Sequence, residues 1–302
     1  MSTLADALLV ERLRPPVDNE PPAIQVRRQV RRWLKDTPVI LINDIAKYFY
    51  DIFWDEHDAL KDRDFPNVAP PFPCFWMEYH VQKTISAAEL PEPVRMNFGG
   101  RRVGLYWIAV DRPEARGGWE LTSLTFVEDG GLVIGPVFSA RANTDPQGQL
   151  VELLGQSIEL DGSEGPAEEM EAFHEEMMML HYPAVLAICL MNCSNVKIVD
   201  HKPKEGNKRR FQRLYGRAPI IYKTLDVAPM RRVISSQGGP RCGAKEALHI
   251  MRGHFKRFEE RPLFGKHKGM WWWPSQVRGT LARGYVKKVY EVHPPKKDKP
   301  DD

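Results

Sequence analysis

The sequence contains no apolar run of the roughly 18 to 20 residues that a membrane-spanning helix requires. Its longest apolar stretches, 39–42 and 185–191, are short and lie beside polar residues. The first residues, MSTLADALLVERLRPP, include no basic segment followed by a long apolar one, as a secretory signal would. We therefore predict a protein without membrane contact that stays in the cytoplasm.

Cysteine is scarce: four in 302 residues do not make a disulfide framework. Cys189 and Cys193 lie in a predicted apolar helix, and no second Cys or His pair follows at zinc-finger spacing. A phosphate loop, a dinucleotide-binding GxGxxG after a strand and a GxSxG elbow are also absent. The sequence therefore predicts no metal and no cofactor, and favours these cysteines as buried small hydrophobes.

The charges are unevenly distributed along the chain. Residues 196–302 contain 26 Lys and Arg against 10 Asp and Glu, a balance of +16, whereas residues 1–195 contain 17 against 30, a balance of −13. A polyanionic partner such as nucleic acid accounts for the basic half. Neutralisation of the two halves across an internal interface is the alternative, and charge alone does not decide between them.

The patterns predict helices at the N-terminus. Residues 23–35 indicate a short helix with many basic side chains, and Thr37 followed by Pro38 is a typical start signal for a second, longer helix. Runs rich in aromatic and β-branched residues between 72 and 140 predict about four antiparallel strands. Residues 143–166 are loop-like, and 168–195 indicate two helices with a break near Tyr182-Pro183.

We therefore predict an α+β fold with two packed regions. The first, 1–195, is acidic and combines N-terminal helices with a central antiparallel sheet. The second, 196–302, is basic and alternates short strands with a basic helix or turn at GNKRRFQRLYG. The last residues, after two consecutive prolines, are expected to fray.

The segment from His249 to Arg278 is the most distinctive, because cationic and aromatic side chains alternate in it. Cations hold phosphates, and flat rings stack on unpaired bases. The predicted nucleic-acid-binding residues are Arg252, Lys256, Arg257, Lys266 and Arg278, with Arg209, Arg210 and Arg213 from the preceding basic run. Phe255, Trp271 and Trp273 are predicted to stack or pack. A solvated helix face at 209–213 and tryptophans that fill a core are the structural alternatives.

The same segment also permits a catalytic hypothesis. Metal-independent RNA cleavage needs a base for the 2′-hydroxyl, an acid for the leaving oxygen and a cation for the phosphorane. His249 and His254 have suitable chemistry for the first two roles and Arg252 for the third. If residues 249–256 form a strand, Arg252, His254 and Lys256 share one face. Spacing alone does not show that the two histidines converge.

Five motifs of the chain together resemble a family of phage and prophage proteins of mostly unassigned function. In order they are FPCFWMEYHV, LAICLMNCSNVKIVDHKP with KRRFQRLYGRAPIIYKTLDV, LHIMRGHFKRF, WWWPSQVRG and YVKKVYEV. One branch is similar, in its RGH-plus-aromatic C-terminus, to a type V-A anti-CRISPR protein. That inhibitor lowers production of the effector nuclease by recognising its nascent N-terminus and triggering loss of the message.

The resemblance covers roughly residues 72–293 and implies a functional stretch at His249, Arg252, Gly253 and His254, with Trp273 and Arg278 beside it. Many members have a histidine in the pattern WxPxHxRG, where this chain has Gln276. A role that needs that histidine therefore does not carry over.

The sequence thus predicts an anti-CRISPR-like phage or prophage accessory protein that binds RNA or a ribonucleoprotein and interferes with host-defence expression. A metal-independent ribonuclease is one alternative. A protein-interaction module, whose acidic half docks on a basic partner such as a nuclease or a ribosomal surface, is the other. The possible protein targets are a nascent chain or a nuclease.

Overall fold

The computed structural model of the protein describes residues 3–11, 20–53, 65–81, 102–112, 118–158, 174, 177–227, 247–251, 254–263, 267–273, 276–278 and 280–285. The chain divides into two compact units, Met1–Val227 and Ala228–Asp302. Five helices and a large mixed sheet in the described part of the first unit, with small sheets in the second, make the fold α+β.

The described helices of the first unit are α1 (Leu4–Val10), α2 (Pro22–Trp33), α3 (Asn43–Phe53), α4 (Tyr182–Met191) and α5 (Glu205–Tyr215). Its strands are β1 (Val39–Leu41), β2 (Cys74–His80), β3 (Arg102–Arg112), β4 (Gly118–Asp129), β5 (Leu132–Thr144), β6 (Leu150–Ser157), β7 (Val196–His201) and β8 (Tyr222–Val227).

These eight strands form one sheet in the order β6-β5-β4-β3-β2-β1-β8-β7. All neighbours are antiparallel except β1, which is parallel to both β2 and β8. The predicted strands between 72 and 140 are present as β2–β5. Residues 196–227, which the sequence grouped with the basic region, add β7 and β8 to this sheet and belong to the first unit.

Helices cover both faces of the sheet, which explains why β2 is buried along almost its whole length. On one face, Trp76 packs in a cluster with Leu4 and Leu8 of α1 and Val30 of α2. Side chains alternate along a strand, so Phe75 lies on the opposite face, where its ring stacks on Trp107 at 6.3 Å. The core of the first unit therefore has two layers with the sheet between them.

The prediction that a helix starts at Thr37-Pro38 is wrong. Val39–Leu41 form a buried strand between β2 and β8, and the helix begins only at Asn43. Thr37 Oγ1 donates to the Trp33 carbonyl at 2.9 Å, so the side chain closes α2 instead of capping a new helix. β-branched Val39 and Ile40 suit a central strand, and pairing on both sides outweighs the local helix signal.

The prediction of a loop over 143–166 is wrong for residues 150–157, which form the edge strand β6. The Asp145 carboxylate accepts from the Gln147 and Gln149 amides, and Gly148 takes a φ of +81°. This tight turn reverses the chain, and residues 150–157 then pair antiparallel with β5. The predicted break near Tyr182-Pro183 corresponds to the start of α4, while most of the helix predicted before it falls outside the described residues.

Gly104 is required by the packing of Trp76 on the sheet. A Cβ at this position would lie 2.1 Å from Cζ2 of the fully buried indole. We expect Gly104→Ala to lower the free energy of unfolding by about 1 to 3 kcal/mol because the indole has no free volume into which to move. Urea unfolding measures this difference.

Gly206→Ala is the matched control. An added Cβ there meets nothing within 4 Å, and the residue lies in the first turn of α5. The same change should be neutral or stabilising by up to about 1 kcal/mol. Equal losses of stability at both glycines would refute the packing argument.

The described strands of the second unit are β9 (Ala247–Met251), β10 (His254–Leu263), β11 (His267–Trp273), β12 (Gln276–Arg278) and β13 (Thr280–Tyr285). β10 and β11 pair antiparallel as a two-stranded sheet. β9 lies between β12 and β13 in a three-stranded one. The short strands predicted for the basic C-terminal region are therefore present.

Candidate nucleic-acid interface

The predicted site residues fall in both units. Arg209, Arg210 and Arg213 lie on α5, while His254, Phe255, Lys256, Arg257, Trp271 and Trp273 lie on β10 and β11. For His249 in β9 and Arg278 in β12 the structure describes the backbone but not the side chain, and Arg252, Gly253 and Lys266 lie outside the described residues. The two groups are therefore described separately.

Helix α5 has clear end signals. Glu205 lies in its first turn and Arg213 in its last, and both charges complement the helix dipole. Gly216 follows with a φ of 69°, and its amide donates to the Gln212 carbonyl at 2.8 Å. A left-handed residue of this kind is the usual way to end a helix, and glycine adopts it without strain. The predicted basic helix is confirmed here.

The whole of α5 is accessible, and none of its residues is buried. Arg209, Arg210 and Arg213 are exposed and form no ion pair with any residue that the structure describes. Lys208 contacts Glu205 at 3.5 Å, an exposed pair that contributes little. Residues 201–217 contain seven Lys and Arg and one Glu. The helix therefore presents concentrated positive charge to solvent, and within the part of the chain that the structure describes only Lys208 has an ion-pair partner there.

A cleft of about 680 Å³ lies beside α5. Its walls include Arg210, Phe211 and Tyr215 of the helix, the basic residues Lys202 and Lys204, and the aromatic residues His201 and Tyr222. His201 stacks on Tyr222 with ring centroids 5.1 Å apart, and its Nε2 lies 2.7 Å from the Thr224 hydroxyl. The cleft thus combines cations with aromatic rings.

Sequence reasoning missed the cleft residues 201–203 and 222. Part of the signal was present, because positions 207, 210, 211, 214 and 215 recur at helical spacing and define one face of α5. The other wall depends on β7 and β8 pairing side by side, which no local pattern reveals.

In the second unit, His254, Lys256 and Phe258 contact one ring, that of Trp273. The His254 ring stacks at 6.4 Å, the Lys256 ammonium lies 4.8 Å from the indole centroid, and Phe258 packs at 5.8 Å. Phe255 instead contacts Trp272 at 4.6 Å. The alternation predicted for a strand is confirmed for His254, Phe255 and Lys256.

The tryptophans of β11 are buried. Trp271 and Trp273 are 6% and 7% exposed and form a small core cluster with Phe258. This packing accounts for both residues without a ligand, so their predicted stacking on bases stays a prediction. Lys256 and Arg257 are exposed on the same hairpin, and Arg257 Nε lies 3.5 Å from Glu259.

The catalytic hypothesis also stays a prediction. His249 is placed opposite Arg278 in the register of β9 with β12, whereas His254 begins β10 in another sheet. His254 is partly buried against Trp273. The His249 side chain and Arg252 lie outside the described residues.

Cys189 and Cys193 behave as buried hydrophobes. Burial raises the pKa of the Cys189 thiol far above its ordinary value and that of Cys193 to about 12. Cys193 Sγ donates to the Cys189 carbonyl at 3.4 Å. Within the described ranges there is no group of three or more His, Cys, Asp or Glu able to hold a metal ion. None of the helices described there is long and apolar enough to cross a membrane.

The α5 surface therefore combines three exposed arginines, which have no ion-pair partner among the described residues, with an aromatic-lined cleft. In comparisons with known proteins, no family model, curated protein or solved structure matches the chain.

Proposed function

We propose that the protein binds RNA, alone or in a ribonucleoprotein, through the positively charged surface of α5. The observation that supports this most directly is that Arg209, Arg210 and Arg213 are exposed on one helix without an ion-pair partner in the described part of the chain. Like charges at Arg209 and Arg213, four residues apart, destabilise a helix slightly. A phosphate backbone removes this repulsion and gains from counterion release.

In the biological setting that the sequence motifs imply, the protein is an anti-CRISPR-like phage or prophage accessory protein. It acts in the host cytoplasm, where it interferes with expression of a host defence. Residues Lys256 and Arg257 of the β10–β11 hairpin, with Arg252, Lys266 and Arg278, are proposed as a second group of phosphate contacts.

Charge reversal on α5 tests the RNA-binding proposal. We expect Arg209→Glu/Arg213→Glu to weaken binding of a labelled RNA by roughly a hundredfold near 0.15 M salt. The plot of log affinity against log salt should become shallower, its negative slope decreasing in magnitude by about 2, because two phosphate contacts are lost. Fluorescence anisotropy across a salt series measures both quantities.

Arg32→Glu/Lys35→Glu is the matched control. It changes the net charge by the same amount at exposed positions at and just beyond the end of α2. Binding should fall much less, because these two cations lie outside α5 and the cleft beside it. Equal losses in the two variants would mean that only net charge matters, and unchanged binding in the α5 variant would exclude this surface.

The same samples separate the two alternative functions. RNA that is shortened in the presence of EDTA would favour the metal-independent ribonuclease with His249, His254 and Arg252. Absence of RNA binding even at low salt would favour a protein-interaction module, with a nascent chain or a nuclease as the partner.

A further inference from the structure

The cleft beside α5 is bounded by the apolar face of an amphipathic helix. Phe211, Leu214 and Tyr215 share one face of α5, and that face lines the cleft. Leu214 is 62% exposed and Tyr215 is 49% exposed. Apolar faces of helices normally pack on the core. An exposed apolar face beside an open volume of about 680 Å³ indicates room for a ligand that covers it.

Aromatic rings from two different parts of the fold line this volume. Phe211 and Tyr215 form a tilted pair with centroids 4.6 Å apart on the helix wall. His201 and Tyr222 form a stacked pair, 5.1 Å apart, on the wall made by β7 and β8. Planar rings with a π face bind well against such side chains. All four nucleobases meet this requirement, so recognition of this kind tolerates sequence variation.

The charges in the cleft are suited to the phosphate groups that flank a base in a nucleic-acid strand. Lys202, Lys204 and Arg210 line it, and all three side chains are exposed. Asp6 also lines it, but its carboxylate already accepts from the Thr3 and Ile220 amides at 3.3 and 3.0 Å. The charged groups left to contact a ligand are therefore mainly cationic, which favours an anionic phosphodiester over a neutral or basic segment of protein.

We propose that this cleft takes one unpaired nucleobase of the bound strand. The base lies between the Phe211–Tyr215 and His201–Tyr222 pairs, and the flanking phosphates contact Lys202, Lys204 and Arg210. This rests on the proposed function, since it names how α5 holds RNA. A base paired in a duplex cannot enter the cleft, so the protein binds single strands, loops or ends in preference to helices.

The experiment compares a single-stranded oligonucleotide with an abasic oligomer of the same length and charge, using the full chain. We expect the oligomer with bases to bind at least about tenfold more tightly. Tyr215→Ala should remove most of this advantage and leave abasic binding unchanged, whereas Tyr215→Phe should retain it. Because Tyr215 is half exposed, the thermal unfolding midpoint of the Tyr215→Ala protein should match that of the wild type.

Ile221→Ala is the control, since Ile221 is equally exposed at 49% but does not line the cleft. It should bind both oligomers as the wild type does. Equal, salt-dependent binding of the intact and abasic oligomers would overturn base insertion and leave RNA binding by α5 standing. Failure to bind either oligomer at low salt would overturn both proposals.

Discussion

Replacing Glu78 with alanine should lower the free energy of unfolding by about 3 kcal/mol. Its buried carboxylate accepts from the Leu4 and Ala5 amides at 2.9 and 3.1 Å and from Trp76 Nε1 at 2.8 Å. Burial raises the pKa of Glu78, although these three donors oppose the shift. Alanine leaves the donors without an acceptor in a dry interior, and each unpaired group is costly. Urea unfolding followed by tryptophan fluorescence measures the loss.

Two further variants make this prediction specific. Glu78→Gln offers one carbonyl oxygen but turns an NH₂ group toward the N–H donors, so its stability should lie between those of wild type and Glu78→Ala. Glu205→Ala removes a carboxylate from the first turn of α5, where it is exposed, and should change stability by no more than about 0.5 kcal/mol. A Glu78→Ala protein as stable as Glu205→Ala would show that α1 does not depend on this acceptor.

Acidification from about pH 6.5 to pH 4 should cost roughly 3 kcal/mol of stability through His181 alone. The residue is fully buried, and this burial lowers the pKa of His181 to about 4. Nδ1 donates to the Met177 carbonyl at 2.7 Å, so Nε2 is the unprotonated nitrogen that accepts from the Thr125 hydroxyl at 3.2 Å. The unfolded chain takes up a proton near pH 6.5, whereas the folded chain does so only near pH 4. The contribution is therefore complete above pH 6.5 and is lost as the pH falls through this window.

Comparison of pH profiles isolates this contribution from that of other groups. His181→Gln should be less stable at pH 7, but its stability should fall less between pH 6.5 and 4 than that of the wild type. Thr125→Val removes the hydroxyl and keeps the histidine, so the steep decline should remain. Parallel profiles for wild type and His181→Gln would contradict the assignment.

The sequence predicted elements whose signal is local. The aromatic-rich run at Cys74–His80 forms a strand as expected, and the basic run at Glu205–Tyr215 forms a helix with glycine after its end. The failures concern residues whose partners are distant. Val39–Leu41 follow a helix start signal but pair with strands that begin at Cys74 and Tyr222, and only this pairing makes them a strand.

The candidate site, too, was predicted only where its signal is local. A run of basic residues is visible in the sequence, so Arg209, Arg210 and Arg213 were identified without knowledge of the fold. Whether a cation has a partner and whether a ring is covered depend on tertiary packing. Trp273 was predicted to stack or to pack, and the structure shows its packing contacts with His254 and Lys256. Tyr215 was not singled out, yet it is the half-exposed aromatic at the end of a cationic helix.

The position of β1 has a consequence for the order in which the molecule assembles. In the described part of the first unit, β7 and β8 join the other strands only through this three-residue strand, in which Val39 pairs with Tyr222. The pairing of Val39 with Tyr222 joins segments far apart in the sequence, so it carries a loop-closure entropy cost and cannot occur on the ribosome until β8 has emerged. The strands on either side of α5 thus dock after β2–β5 have had time to form. Since none of their residues is buried, we expect them to be among the first to detach in a partial opening.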